Sequence, residues 1–111
     1  MTANFSVTNL TATSITATSI TETSSFRYKT NIRPLQDTVV PKLKPVIYDR
    51  TDGSAVNEAG LIAEDVVEVA PNLVKYDADN NPDGVHYTRV IPYLVDHIQR
   101  LEKRIEDLEN G

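Results

Sequence analysis

Large apolar residues recur at every fifth position near the N-terminus. Each opens a unit otherwise rich in Ser and Thr, and these residues are Phe5, Leu10, Ile15 and Ile20. A period of five fits neither helix nor strand, and Ser, Thr and Ile favour extended backbone over helix. Repeats that cannot bury a face alone stack on copies of themselves. The pattern predicts the last turns of a fibrous β-structure, with three chains wound around these residues; a disordered linker is the alternative.

The pattern after residue 23 is that of an ordinary globular domain. A β-branched and aromatic run at 46–48 predicts a strand, and Thr-Asp-Gly at 51–53 predicts a turn. Two further strands, at 73–76 and 85–87, flank the turn-rich stretch 77–84, which predicts a hairpin.

A short amphipathic helix is predicted between the first two of these strands. Ile62, Val66 and Val69 share one helical face, and Pro71 marks the end of the helix. The acidic residues of this stretch lie mostly on the other faces, as on a solvated helix. Strands and helix together predict an α+β domain.

The C-terminal segment carries a heptad pattern. Thr88 is a plausible N-cap, and Pro92 falls early enough in the helix for its missing N–H to be tolerated. Ile occupies the a positions and Leu the d positions of a parallel coiled coil: Ile91, Leu94, Ile98, Leu101, Ile105 and Leu108. This choice of a and d residues ordinarily leans toward two strands. The helix therefore predicts oligomerisation without fixing a trimer.

Composition narrows the classes of function. With 111 residues and net charge −5, the chain has room for one small domain, and its basic residues form no cluster of the kind that binds nucleic acid. Cysteine is absent, which excludes disulfides and thiolate chemistry. We find neither a signal peptide nor a long apolar run, so we expect a soluble protein with no membrane partner, no metal and no cofactor. Four repeats after Met1 suggest a piece of a longer fibre protein.

Four stretches of the chain resemble the intramolecular chaperone auto-processing domain found at the C-termini of phage endosialidases, tailspikes and tail fibres. They occur in the order that this family has, at residues 24–32, 44–49, 60–66 and 85–95. The resemblance implies a homotrimer whose C-terminal domain guides the upstream β-helical shaft to fold and is then released. It implies a phage virion as the location.

The same resemblance implies a site. The family cleaves its own chain just before a serine, with a lysine five residues later, which here gives the bond Thr23–Ser24 and the dyad Ser24 and Lys29. The expected organisation is a shaft end at 1–23, a chaperone domain at 24–87 and a coiled-coil helix at 88–111. Ser25 stands where the family often has Asp, which makes it a second candidate nucleophile.

The chemistry of such a pair sets a structural condition. Serine needs a base to accept its proton, and lysine is a base only when neutral, which requires burial or a nearby cation such as Arg27. Residues five apart point away from each other on a helix or a strand. We expect assembly to bring Ser24 and Lys29 together, either by ordering a turn or by supplying the lysine from a neighbouring chain.

The sequence also allows interpretations other than a self-cleaving chaperone. Asp77, Asp79 and Asn81 echo a calcium loop, but Pro82 stands where glycine is needed, so a solvated turn is preferred. The two histidines lack partners at metal-binding spacing. A trimerisation cap that never cuts is the main alternative, and a receptor-binding fibre tip is weaker because the chain lacks Trp and has few aromatic residues.

Overall fold

The chain divides into two compact units. The computed structural model describes residues 4, 6–36 and 38–111, and the units are Met1–Arg33 and Pro34–Gly111. Phe5, the first apolar residue of the repeat, lies outside the described residues.

The backbone of the N-terminal repeat bends at regular intervals. Between residues 6 and 24 the backbone has neither helix nor strand, but it bends at Thr8, Thr13 and Thr18, the same position in the first three of the four units. The apolar residues between these bends are 63 to 79% exposed at Leu10, Ile15 and Ile20. The five-residue period of the sequence is therefore also a period of the backbone, and its apolar side chains have no cover within one chain. The triple-stranded β-helical stub stays a prediction.

The second unit is α+β, which confirms the predicted fold class of the globular part. Its regular elements are the strands β1 (Val46–Tyr48) and β2 (Glu58–Gly60), the helix α1 (Ala63–Val69), the strands β3 (Val74–Tyr76) and β4 (Pro82–Val85), and the helix α2 (Tyr87–Asn110). The strands form two separate antiparallel hairpins, β1 with β2 and β3 with β4. Single 3-10 turns occupy Phe26–Tyr28 in the first unit, and Val40–Lys42 and Pro71–Leu73 in the second.

A small core holds the second unit together. Its buried members are Val39, Val66, Ala70, Leu73, Val74 and Val90. Val39 precedes the 3-10 turn Val40–Lys42, and the others come from α1, the residues just after it, β3 and the first turn of α2. Val66 is the buried residue of the predicted apolar face of α1. The core thus includes Val90 in the first turn of α2, and Tyr93 packs against it from the second.

The second hairpin differs from its prediction. Pro82, Asp83 and Gly84 belong to β4, so the turn is confined to residues 77–81. The carboxylate Oδ1 of Asp77 accepts hydrogen bonds from the backbone N–H groups of Asp79 and Asn81, each at 2.9 Å. A side chain that caps its own turn in this way allows pairing to begin early.

The start of α2 also differs. The helix begins at Tyr87 after His86, so Thr88 is not its N-cap and Tyr87 is not in a strand. The backbone N–H of His86 still donates to the carbonyl of Leu73 at 2.8 Å, which extends the hairpin pairing up to the helix. Pro92 is the sixth helical residue, beyond the first turn, so its bond to the carbonyl of Thr88 cannot form.

The predicted heptad positions of α2 form an exposed seam. All six, from Ile91 to Leu108, are between 42 and 79% exposed in the single chain. The helix has 24 residues, which corresponds to about 36 Å. An apolar stripe of this length without cover is typical of a surface that packs on other helices.

Candidate active site

A single tight turn carries the predicted dyad. The 3-10 turn Phe26–Tyr28 is closed by two backbone bonds of 3.0 Å, from the N–H of Tyr28 to the carbonyl of Ser25 and from the N–H of Lys29 to the carbonyl of Phe26. Ser25 and Lys29 on either side of it are in extended conformations. The chain therefore reverses locally between two extended arms.

This turn brings the two predicted residues into contact. Nζ of Lys29 donates a hydrogen bond of 2.7 Å to Oγ of Ser24. The expectation that a turn is required is met within one chain, because the turn cancels the opposed directions that a continuous strand would give the two side chains. A neutral amine at the same place could instead accept the hydroxyl proton of Ser24.

The two candidate nucleophiles have different surroundings. Oγ of Ser25 accepts a hydrogen bond from the backbone N–H of Arg27 at 3.4 Å, and Ser25 is the N-cap of the turn. The lysine contact goes to Ser24. The geometry thus favours Ser24 over Ser25 as the nucleophile.

Arg27, the candidate cation beside the lysine, contacts its neighbour in the turn. Its guanidinium centre lies 4.7 Å from the centroid of the Tyr28 ring, and Nη2 donates to the Tyr28 hydroxyl at 2.8 Å. This stacking holds the cation on the turn itself, within the local segment that carries Lys29.

The whole turn is open to solvent in the single chain. Ser24 and Lys29 are exposed, and the apolar residues Phe26, Tyr28 and Ile32 are 79, 63 and 71% exposed. The contact between Ser24 and Lys29 is therefore made without burial in the single chain, within a segment that exposes three large apolar side chains.

A second group of polar side chains joins the first hairpin. The hydroxyl of Tyr48 donates to Oε1 of Glu58 at 2.8 Å, and Arg50 pairs with the same oxygen at 2.6 Å. Hydrogen bonds from Arg50 and then Tyr48 lower the pKa of Glu58, and the bond to Glu58 raises the pKa of Tyr48. These contacts link both strands of the hairpin on one face.

A close approach ties this hairpin to α2. The hydroxyl of Tyr87 accepts from the N–H of Leu61 at 2.8 Å and donates to its carbonyl at 3.3 Å. A Cβ on Gly60 would lie 2.8 Å from the hydroxyls of both Tyr48 and Tyr87. Glycine is thus needed at position 60, because the hydroxyl groups of Tyr48 and Tyr87 occupy the space that a Cβ would fill just before α1. Neither β2 nor this arrangement was predicted from the sequence, and the arrangement depends on contacts between residues distant along the chain.

The remaining candidates have structural roles. His86 precedes α2, and desolvation with the nearby charges of Arg89 and Lys75 lowers its pKa. His97 lies half-buried on α2. Among the described residues, no group of three His, Asp or Glu side chains could hold a metal ion. No helix within the described part of the chain is long and apolar enough to cross a membrane.

The part of the chain that begins at Ser24 resembles a known protein family. Residues 24–75 match the family model Peptidase S74, described as chaperone of endosialidase. No curated protein matches the chain. The match starts at Ser24, spans the turn, the first hairpin and α1, and ends in β3. These residues are thus similar to a family of endosialidase chaperones that is named as a peptidase, and the match supports the presence of an intramolecular chaperone domain.

Proposed function

We propose that this chain is the C-terminal intramolecular chaperone of a phage tail fibre or tailspike. It forms a homotrimer, promotes folding of the β-helical shaft upstream in the same polypeptide, and releases itself by one cut between Thr23 and Ser24. The contact of 2.7 Å between Lys29 Nζ and Ser24 Oγ supports this proposal most directly. The matched family supports the chaperone role.

The cut follows from the position of the nucleophile. Ser24 supplies both the attacking oxygen and the nitrogen of the bond that breaks, so attack on the carbonyl carbon of Thr23 passes through a five-membered ring. Neutral Lys29 takes the hydroxyl proton as the C–O bond forms, and returns it to the nitrogen of Ser24 as the C–N bond breaks. Water then hydrolyses the ester, giving a carboxylate on Thr23 and restoring the hydroxyl of Ser24. Each chain does this once.

Assembly supplies what the single chain lacks. A lysine acts as a base when burial or a nearby cation lowers its pKa. A neighbouring chain that covered the apolar residues Phe26, Tyr28 and Ile32, all more than 60% exposed alone, would exclude water from the dyad. Cutting would thereby wait for correct assembly.

Two exposed apolar patterns support oligomerisation. The repeat presents Leu10, Ile15 and Ile20, and the seam of α2 presents its six heptad residues. In a parallel arrangement Arg104 and Glu109 would occupy the g and following e positions, where opposite charges pair between chains. Both patterns call for neighbours of the same sequence, as a fibre end requires.

Release would make the stability of the shaft kinetic. A domain that guides folding also offers a route for unfolding while it stays attached. Once it has left, the shaft is held by the height of its unfolding barrier rather than by an equilibrium.

A trimerisation cap that never cuts is the second candidate. The exposed seam supports it as well, and the presence of Ser25 rather than Asp is the feature that favours it. The two functions differ only in whether the peptide bond at Thr23–Ser24 breaks.

The test is the fraction of cleaved chain in matched variants after assembly. Ser24→Ala and Lys29→Ala should both abolish cleavage. Ser19→Ala is the matched control, because Ser19 holds the same position in the preceding unit, also follows a Thr, and has no lysine five residues later; it should cut like the parent. Cleavage that survives in Lys29→Ala would refute the dyad.

A further inference from the structure

We infer that Ser25 is a positioning residue, whose side chain holds the turn that places Lys29 on Ser24. This inference rests on the proposed self-cleavage for its role in the reaction. Ser25 itself is not the nucleophile; it acts through the geometry of the three residues that follow it.

The observation that carries this inference is the cap. Ser25 has φ −65° and ψ 143°, the extended conformation of an N-cap, and its Oγ accepts from the N–H of Arg27, the second residue of the turn. This is the bond that Ser, Thr, Asn and Asp make at helix starts, where an N–H would otherwise lack a partner.

The other contacts of the turn are local: the stacking and hydrogen bond between Arg27 and Tyr28, and the hydrogen bond from Lys29 to Ser24. None of its three residues, Phe26, Arg27 and Tyr28, is buried. Its internal bonds are two backbone bonds of 3.0 Å, one of which uses the carbonyl of Ser25. Because none of these residues is buried, the cap, at 3.4 Å, is one of the few bonds that keep the turn closed in the single chain.

Opening of the turn would separate the dyad. In an extended chain, side chains five residues apart lie on opposite faces of the strand. The population of the closed turn therefore multiplies the rate of the first step, since only the closed form places Lys29 Nζ within 2.7 Å of Ser24 Oγ. Loss of an N-cap bond typically changes such a population by roughly two- to thirtyfold.

Three substitutions distinguish a capping role of Ser25 from a nucleophilic role. Ser25→Ala removes the acceptor, Ser25→Thr keeps a hydroxyl, and Ser25→Asn keeps an uncharged acceptor that cannot attack a carbonyl. A positioning role requires Ser25→Asn to cut much like the parent. A nucleophilic role requires it to fail together with Ser25→Ala.

The first experiment follows cleavage of the full chain over time by denaturing mass spectrometry, beginning when denatured protein is diluted into buffer, at several pH values. We expect Ser25→Ala to slow cleavage by about three- to tenfold without moving the pH midpoint, and Ser25→Asn and Ser25→Thr to restore most of the rate. Ser25→Ala cutting like the parent, or Ser25→Asn failing like Ser25→Ala, would overturn the inference.

A second measurement tests the Ser25 cap independently of cleavage. In a Ser24→Ala background no cleavage occurs, and amide hydrogen exchange at Arg27, Tyr28 and Lys29 reports the turn alone. Exchange should quicken in Ser25→Ala and recover in Ser25→Asn. Exchange that is unchanged in Ser25→Ala would overturn the inference that Ser25 caps the turn. Altered exchange combined with a parent that never cuts would refute self-cleavage and leave the cap standing.

Discussion

Lys29 contacts Ser24 of its own chain, with Nζ of the lysine 2.7 Å from Oγ of the serine across one 3-10 turn. We expected assembly to bring these residues together by ordering a turn or by supplying the lysine from a neighbour, but the single chain makes the contact without either. Burial of the dyad is then the contribution that the proposed function leaves to assembly. This contact within one chain has a direct consequence for mixed assemblies.

Chains that each lack one member of the dyad should not rescue one another. When Ser24→Ala and Lys29→Ala chains are refolded together, we expect mixed oligomers with no cleavage, because each lysine reaches only the serine of its own chain. Denaturing mass spectrometry of the mixture measures this. A mixture of parent and Ser24→Ala chains is the control, in which parent chains should still cut. Cleaved Lys29→Ala chains in mixed oligomers would show that the lysine acts between chains.

The seam of α2 should determine oligomerisation. Ile98→Lys places a charge among exposed apolar positions that pack on neighbouring chains in the proposed oligomer, so we expect loss of the oligomer, and with it at least a tenfold fall in cleavage. Light scattering after size-exclusion chromatography gives the mass in solution. Gln99→Lys, the adjacent residue outside the seam, should leave the oligomer intact. An Ile98→Lys protein of unchanged mass would place the contact elsewhere.

Gly60 should be intolerant of a side chain. Ala at this position places Cβ 2.8 Å from two tyrosine hydroxyls, and moving either ring breaks a hydrogen bond to Glu58 or to Leu61. We expect Gly60→Ala to lower the free energy of unfolding by about 1 to 3 kcal/mol, read from urea denaturation.

Gly84 is the matched glycine for that comparison. It lies in β4, and an added Cβ would meet nothing closer than 3.9 Å. Gly84→Ala should therefore be neutral or slightly stabilising, since glycine weakens a strand. Equal effects at the two glycines would contradict the close approach of the tyrosines.

The carboxylate of Glu58 should make stability depend on pH. Arg50 and Tyr48 lower its pKa, so its contribution to the free energy of unfolding is present above the ordinary glutamate pKa and is lost as pH falls through the lower folded value. Glu58→Gln should unfold at lower urea than the parent at pH 7, and the gap should close below about pH 4. Glu106→Gln, on the exposed face of α2, is the control. A gap of constant size from pH 7 to 3 would contradict the ion pair.

Much of the fold followed from local pattern. The strand at 46–48 and the helix from Ala63 to Val69 formed as predicted, because each has its own period and its own end signal. The 3-10 turn Phe26–Tyr28 could not be predicted from hydrophobic periodicity, because three residues are too few to show a period. A serine that can cap, at Ser25, was its one local sign.

Other details depended on contacts between distant residues. The start of α2 moved from Thr88 to Tyr87, where the tyrosine hydroxyl bonds Leu61 and the hairpin pairing runs up to His86. Pro82 entered a strand because Asp77 closes the turn early. Tertiary contacts of this kind override local preferences. The exposed apolar positions of repeat and seam, by contrast, were readable from sequence alone.

The most direct measurement is the intact mass of the assembled parent chain under denaturing conditions. We expect two fragments, residues 1–23 ending in the free carboxylate of Thr23 and residues 24–111 beginning with the amine of Ser24, whose masses together exceed that of the whole chain by one water. A single uncut chain in a stable oligomer would contradict it and leave a trimerisation cap. A fragment that begins at Ser25 would contradict the assignment of Ser24 as the nucleophile.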